Sequence, residues 1–176
     1  MLLLLRAVRG MKCRGILLVL LMLLSGCGNV LASQAVVEAE IAINEHRYER
    51  ASALFHLASI ESSSREHEAL YQQSIHLMAM EHYTKAREVD KMLLTWTELN
   101  LISTESNIIK EAAINMVRQK LKNLEIEAVE KLEEGNPNQI ITLIRLIEDR
   151  MGTFQMFEKE IQVLNNLRRQ LEGGQI

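Results

Sequence analysis

The chain has 176 residues, of which 48% are hydrophobic, 24% are charged and only 4% are aromatic, with one proline and two cysteines. This length fits about one domain, and the composition excludes a collagen-like repeat, a long disordered tail and a disulfide-rich scaffold. Residues 1–26 contain four of the 20 Lys and Arg but none of the 23 Asp and Glu, so the remaining 150 residues carry a formal charge of −7. Such an acidic body without a basic patch excludes nucleic acid as the expected partner.

The first 26 residues have the pattern of a secretory signal peptide. A basic stretch at residues 12–14 precedes an apolar run at 16–24 and the small residues Ser25 and Gly26. Nine helical residues span only about 14 Å, much less than the ~30 Å hydrocarbon core of a bilayer. The sequence therefore predicts export, with Met11 as an alternative translation start.

The end of this segment carries the most specific motif in the chain. Leu24-Ser25-Gly26-Cys27 resembles the lipobox of bacterial lipoproteins, which reads Leu, a small residue, Gly or Ala, then Cys. The resemblance implies that the Cys27 thiol is acylated and that a signal peptidase cleaves directly before it. Two or more acyl chains on one cysteine make a stable anchor, because each buried CH₂ contributes roughly 0.8 kcal/mol. The alternative is a buried transmembrane helix that ends in an unrelated cysteine.

The cysteine count is consistent with lipidation. Cys13 leaves with the signal peptide, so the mature chain keeps only Cys27 and cannot form an internal disulfide. In lipoproteins, an Asp after the lipidated cysteine often marks inner-membrane retention, and here Gly28 occupies that position. The sequence thus predicts a lipid-anchored protein of the bacterial cell envelope, in the outer membrane and facing the periplasm.

The body of the chain is predicted to be all-α. Residues 29–172 contain only two glycines and one proline, far fewer turn residues than a β-rich domain of this length needs. Apolar residues recur at spacings of three and four, with good helix formers between them. Residues 27–32 are expected to form a lipidated linker, with Ser33 as the N-cap of the first helix.

Two stretches within residues 33–101 resemble each other. Tyr48-x-x-Ala51 and Tyr83-x-x-Ala86 lie 35 residues apart, and each follows a Glu-His pair. With Phe55 seven residues after its tyrosine, the first stretch resembles the second helix of a tetratricopeptide (TPR) repeat, whose period is about 34 residues. The resemblance implies TPR-like antiparallel helix hairpins over residues 33–101.

The second stretch departs from the family pattern. Asp90 stands where the first stretch has Phe55, and Leu93 replaces a small residue. His46 and His82 fall in equivalent expected turns, where a turn or cap role is expected rather than a metal-ligand role. A generic four-helix array with a coincidental Tyr-x-x-Ala pattern is the alternative to a true repeat.

Residues 102–172 are predicted to form a long helical hairpin. Ser103 or Thr104 can cap a helix that runs to about Glu134, and a Gly-Asn-Pro-Asn turn follows at residues 135–138. The second arm continues its apolar stripe past residue 152 to Leu171. This hairpin either packs on the preceding helices or projects as a coiled coil.

No enzymatic motif is present in the sequence. It contains no His-Glu-x-x-His, no Gly-x-Ser-x-Gly and no phosphate-binding glycine loop. The five histidines have no metal-ligand spacing, and only two aspartates, Asp90 and Asp149, are available. A non-enzyme without metal or cofactor is therefore predicted, and a hydrolase with an unrecognised site is a minor alternative.

The leading function hypothesis is a membrane-anchored adaptor or scaffold that binds an envelope protein or peptide. Four aromatic residues are candidate partner contacts, with a core role as the alternative for each: Tyr48, Tyr71, Tyr83 and Trp96. The second hypothesis is a structural coiled-coil spacer, or a self-assembling subunit of an envelope complex, that forms a homo-oligomer through residues 104–172.

Lipidation at Cys27 can be tested in cells fed radiolabelled palmitate. The wild-type chain should take up label, and inhibition of the lipoprotein signal peptidase should leave a larger precursor. Cys27→Ser should abolish the label, because the acylated thiol is absent, whereas Cys13→Ser should leave it unchanged. An unlabelled wild-type chain whose size does not respond to the inhibitor would contradict the prediction.

Overall fold

The computed structural model describes residues 29–134, 138–152 and 154–173. These residues form seven α-helices, a short 3₁₀ turn and no β-strand, which confirms the predicted all-α class. The elements are α1 (29–44), α2 (Tyr48–Glu61), α3 (Arg65–Lys85), α4 (Val89–Leu101), α5 (Ile108–Glu134), α6 (Asn138–Met151), the 3₁₀ turn (Gln155–Phe157) and α7 (Glu158–Gly173).

The expected signal peptide, Cys27 and residues 135–137 of the expected turn lie outside the described residues. No helix in the described part is long and apolar enough to cross a membrane.

Contacts divide the chain into two compact units, Met1–Tyr71 and Gln72–Ile176. The boundary predicted from the sequence lies between residues 101 and 102. The division lies earlier because α4 packs against α5 and α6, so it shares a core with the C-terminal helices.

Helix α1 includes residues that sequence analysis assigned to the linker. Residues 29–32 are helical, and Ser33 lies within α1 rather than at its N-cap. No glycine or proline occurs from 29 to 44, and alanine is frequent, so nothing in this stretch interrupts a helix. The inner face of α1 contributes to a buried cluster in which Ala32 and Ala35 lie with Ala58 of α2.

Helices α1 and α3 end in the same kind of turn. Each is followed by a residue with left-handed backbone conformation, His46 with φ of 57° and Arg87 with φ of 61°. Backbone N–H groups then donate to carbonyls in the last helical turn: His46 to Ile43 (2.9 Å), Arg47 to Ala42 (2.8 Å), Arg87 to Thr84 (3.2 Å) and Glu88 to Tyr83 (2.9 Å). Both turns are therefore Schellman motifs, in which the left-handed position is usually a glycine.

The two helix–turn–helix segments are related by an offset of 41 residues, the distance between His46 and Arg87. Every buried residue of α2 has a buried residue of α4 at this offset: Tyr48 and Val89, Ala51 and Met92, Ser52 and Leu93, Phe55 and Trp96, Ala58 and Leu99. The expected equivalence of Tyr48 with Tyr83 at 35 residues is wrong, since Tyr83 and His82 lie in the last turns of α3. The sequence gives no signal of this turn, because Arg87 and not a glycine occupies its left-handed position.

Helix α5 begins later than expected, at Ile108. Thr104 does not cap it, because its hydroxyl is hydrogen-bonded to the carbonyl of Ser106 (2.8 Å) and to Oε1 of Gln73 (3.1 Å). The buried Gln73 also donates from Nε2 to the carbonyl of Ile102 (2.9 Å). The segment between α4 and α5 is thus an ordered loop held to α3.

The expected second arm of the hairpin is two helices rather than one. Helix α6 stops at Gly152, whose N–H donates to the carbonyl oxygen of Glu148 (2.8 Å), and a Cβ there would lie 2.6 Å from the same atom. Ion pairs of Arg145 with Glu172 (2.7 Å) and Arg168 with Glu148 (3.3 Å) show that α7 runs antiparallel to α6. Because α7 also packs against α5, residues 102–172 form part of a helix bundle and do not project as a two-helix coiled coil.

Charged side chains connect the outer edges of α6 and α7. Glu172 accepts hydrogen bonds from Arg145 (2.7 Å) and Arg168 (3.1 Å). These bonds lower the pKa of the Glu172 carboxyl, and the bond to Glu172 raises the pKa of the Arg168 guanidinium. Both groups are therefore charged at neutral pH and hold α7 in register with α6.

Substitution of the left-handed residues tests the two turns. Arg87→Gly should raise the free energy of unfolding by about 0.5–1 kcal/mol, because glycine has no Cβ to strain a left-handed residue. His46→Gly should gain less, because it loses the 2.8 Å hydrogen bond between His46 Nδ1 and the Tyr48 hydroxyl. Urea unfolding of both variants measures the difference. A loss of stability in Arg87→Gly would contradict the assigned turn.

Candidate interaction surface

Two of the four candidate aromatic contacts are core residues. Trp96 is 1% exposed, and its ring lies edge-on to Phe154 (4.4 Å between centroids) and Phe157 (5.4 Å). Tyr48 is also buried, and its hydroxyl is hydrogen-bonded to His46. The burial of both side chains favours the core alternative over a contact role for these two residues.

The other two candidates, Tyr71 and Tyr83, are half-buried on α3. The ring of His56 lies against Tyr71 (4.5 Å between centroids), and Lys91 Nζ lies 5.6 Å from the centroid of the Tyr83 ring. Tyr71 belongs to the first compact unit and Tyr83 to the second. Of the four aromatics, Tyr48 and Tyr71 thus belong to the first unit and Tyr83 and Trp96 to the second.

The exposed apolar residues of the first unit define a different candidate surface. Six large hydrophobic side chains of α1 and α2 are exposed: Val30 (67%), Leu31 (52%), Val37 (56%), Ile41 (51%), Leu57 (44%) and Ile60 (66%). Single exposed apolar residues are normal on a protein surface, but a concentration of them marks an interaction site. This surface is not among the sequence-based predictions, although the spacing of Val30, Val37 and Ile41 contains its signal.

Helix α1 has a regular pattern on its exposed side, which we call the outer stripe. Its members share exposure and a spacing of four and three residues: Val30, Gln34, Val37, Ile41 and Asn44. At 3.6 residues per turn, the outer stripe lies opposite the buried face. That buried face consists of Ala32, Ala35, Ala39, Ala42 and Ile43. Apart from Ile43, helix α1 therefore directs alanine side chains inward, and it directs the bulkier Val30, Val37 and Ile41 outward.

The borders of the outer stripe are acidic. Residues 29–46 contain Glu38, Glu40 and Glu45 but no lysine or arginine. Glu38 lies 3.8 Å from Arg50 of α2, and Glu45 forms an ion pair with Arg47. The Glu38 and Glu45 side chains remain 42% and 48% exposed, so both carboxylates are accessible to further donors.

A second candidate surface is a polar depression along the outer side of α5. Two adjoining hollows of about 480 and 320 Å³ share Asn115 and Arg118. Arg118 lies 3.3 Å from Glu160 and donates to the carbonyl of Met156 (3.3 Å), so its charge is already compensated. Among the described residues, no group of three or more His, Cys, Asp or Glu could hold a metal ion. The groove on α5 is thus a weaker candidate than the outer stripe.

Comparisons of the chain with protein-family models, with curated proteins and with solved structures find no match.

The core role of Trp96 can be tested by truncation. Trp96→Ala should lower the free energy of unfolding by about 3–5 kcal/mol, because it leaves a cavity beside two phenylalanine rings. Leu94→Ala, on the outer side of the same helix, should change it by less than about 0.5 kcal/mol. Denaturant titration followed by circular dichroism measures both. Equal effects would contradict the burial assigned to Trp96.

Proposed function

We propose that the protein is a helical adaptor of the bacterial cell envelope, anchored through acylated Cys27, that binds an envelope protein through the outer face of α1 and α2. The observation that carries the proposal is the concentration of exposed large apolar side chains on these two helices. Leaving apolar area in water forgoes about 25 cal/mol per Å², so covering this face with a partner is favourable.

The position of the surface along the chain supports the same proposal. Helix α1 is described from residue 29, two residues after Cys27. Two residues reach at most about 7 Å, so an acylated Cys27 keeps the beginning of the outer stripe, at Val30, close to the membrane surface. A partner is then expected to be a membrane protein, a lipoprotein or another protein held near the same bilayer.

The coiled-coil spacer is less well supported than the adaptor. That hypothesis needs the apolar stripe of residues 104–172 to be available for self-association. Its principal members are buried inside the chain: Ile109, Leu121, Leu124, Phe157, Ile161 and Leu164. The fold therefore favours binding through α1 and α2 over assembly through the C-terminal helices.

Substitutions on the exposed face test the adaptor function. Tagged, lipidated wild-type protein should copurify from crosslinked membranes with a defined protein, and Val37→Ser/Ile41→Ser should lose it. Ile126→Ser is the matched control, because Ile126 is 53% exposed on α5 and Ile41 is 51% exposed on α1. All three proteins should show the same thermal unfolding and the same palmitate label.

Two outcomes would contradict the adaptor. One is a set of copurifying proteins that does not differ between wild type and Val37→Ser/Ile41→Ser. The other is self-association through α5 and α7, seen by light scattering, which would support the spacer instead.

A further inference from the structure

We propose that the outer stripe of α1 pairs with one helix of the partner protein, a helix with an apolar seam bordered by lysine or arginine. This inference rests on the proposed adaptor function and deepens it by stating the chemistry of the partner. Its three supports are the spacing of the stripe, the charge at its borders and its length.

The spacing of the outer stripe matches a helical partner. Its steps of four, three, four and three residues average 3.5, which is the period of a seam that a second helix can follow. The seam is narrow, because Ser33, Glu38 and Glu40 flank it. Coiled-coil seams also carry occasional polar residues that fix register and partner choice, and Gln34 and Asn44 occupy such positions here.

The border charges disfavour two other occupants. In a second copy of α1, the borders would bring Glu38, Glu40 and Glu45 near their counterparts, and Arg47 and Arg50 offset only part of that charge. An anionic lipid surface would be repelled for the same reason. A helix with cationic borders instead meets Glu38 and Glu45, whose exposed carboxylates can accept further hydrogen bonds.

The length of the stripe defines a weak contact. From Val30 to Asn44 the seam covers two heptads, or about 21 Å of helix, and a pair this short is only marginally stable in dilute solution. Anchoring both proteins on one membrane raises their effective concentration and compensates for the low affinity. The proposed lipid at Cys27 and the short seam thus suit the same mode of binding.

A pair of synthetic peptides tests the partner chemistry. Both are three-heptad amphipathic helices with leucine along the seam; one carries lysine at the border positions and the other glutamate. Binding to the full, lipidated protein in phosphatidylcholine vesicles is measured by fluorescence anisotropy, with protein-free vesicles as the blank. The lysine peptide should bind at least ten-fold more tightly than the glutamate peptide, and the preference should decrease with added salt.

Protein variants make the test specific to the outer stripe. Val37→Ser/Ile41→Ser should weaken binding of the lysine peptide at least ten-fold, whereas Ile126→Ser should leave it unchanged. Glu38→Lys/Glu45→Lys should reverse the preference between the two peptides, with only a small decrease in thermal stability, because the ion pairs of these glutamates with Arg50 and Arg47 are exposed.

Three results would overturn the inference: equal binding of both peptides, binding of neither, or a wild-type dimer that Val37→Ser/Ile41→Ser dissociates. None of these decides the adaptor function, which depends on a membrane partner lost from Val37→Ser/Ile41→Ser. Conversely, if no such partner exists while the lysine peptide still binds, the adaptor function fails and the binding preference of the stripe stands.

Discussion

The close packing of alanine side chains between α1 and α2 is the constraint on which the functional argument depends. Ala32 and Ala35 share a buried cluster with Ala58, and the rest of the inner face of α1 is also mostly alanine. Small residues let two helix backbones approach closely, which leaves little room for larger side chains between them. The valines and the isoleucine of the outer stripe therefore lie on the solvent side, where they form the candidate surface.

The two Schellman turns determine which residues of α2 and α4 become core. Each turn fixes where the following helix begins, so the buried faces of the two helices match position by position at an offset of 41 residues. Phe55 and Trp96 are equivalent in this relation, and each is a large buried aromatic. The left-handed residues His46 and Arg87 carry a backbone cost of about 1–2 kcal/mol each, which the packing on either side of the turn offsets.

The C-terminal helices bury most of their large apolar residues, although Leu101 of α4 and Ile126 of α5 are exposed. Trp96 of α4 lies against Phe154 and Phe157, and Arg118 of α5 lies 6.0 Å from the centroid of the Phe157 ring. The salt bridges of α6 and α7 lie at the edge of this packing and fix its register rather than form a pocket. We therefore interpret this part of the molecule as a stable support, whereas six exposed large apolar side chains are concentrated on α1 and α2.

Local pattern alone was enough for several features of this protein. The scarcity of glycine and proline predicted an all-α chain, and the turn signal after residue 134 predicted the end of α5 at Glu134, because both depend only on local propensity and turn residues. The end of α3, the return of α7 along α6 and the burial of Trp96 depended on tertiary structure. Arg87 gives no sequence signal of a helix end, and which side of a helix is buried depends on the helices that pack against it. For the same reason, the exposure of Val37 and Ile41 became evident only once α2 had covered the alanine face of α1.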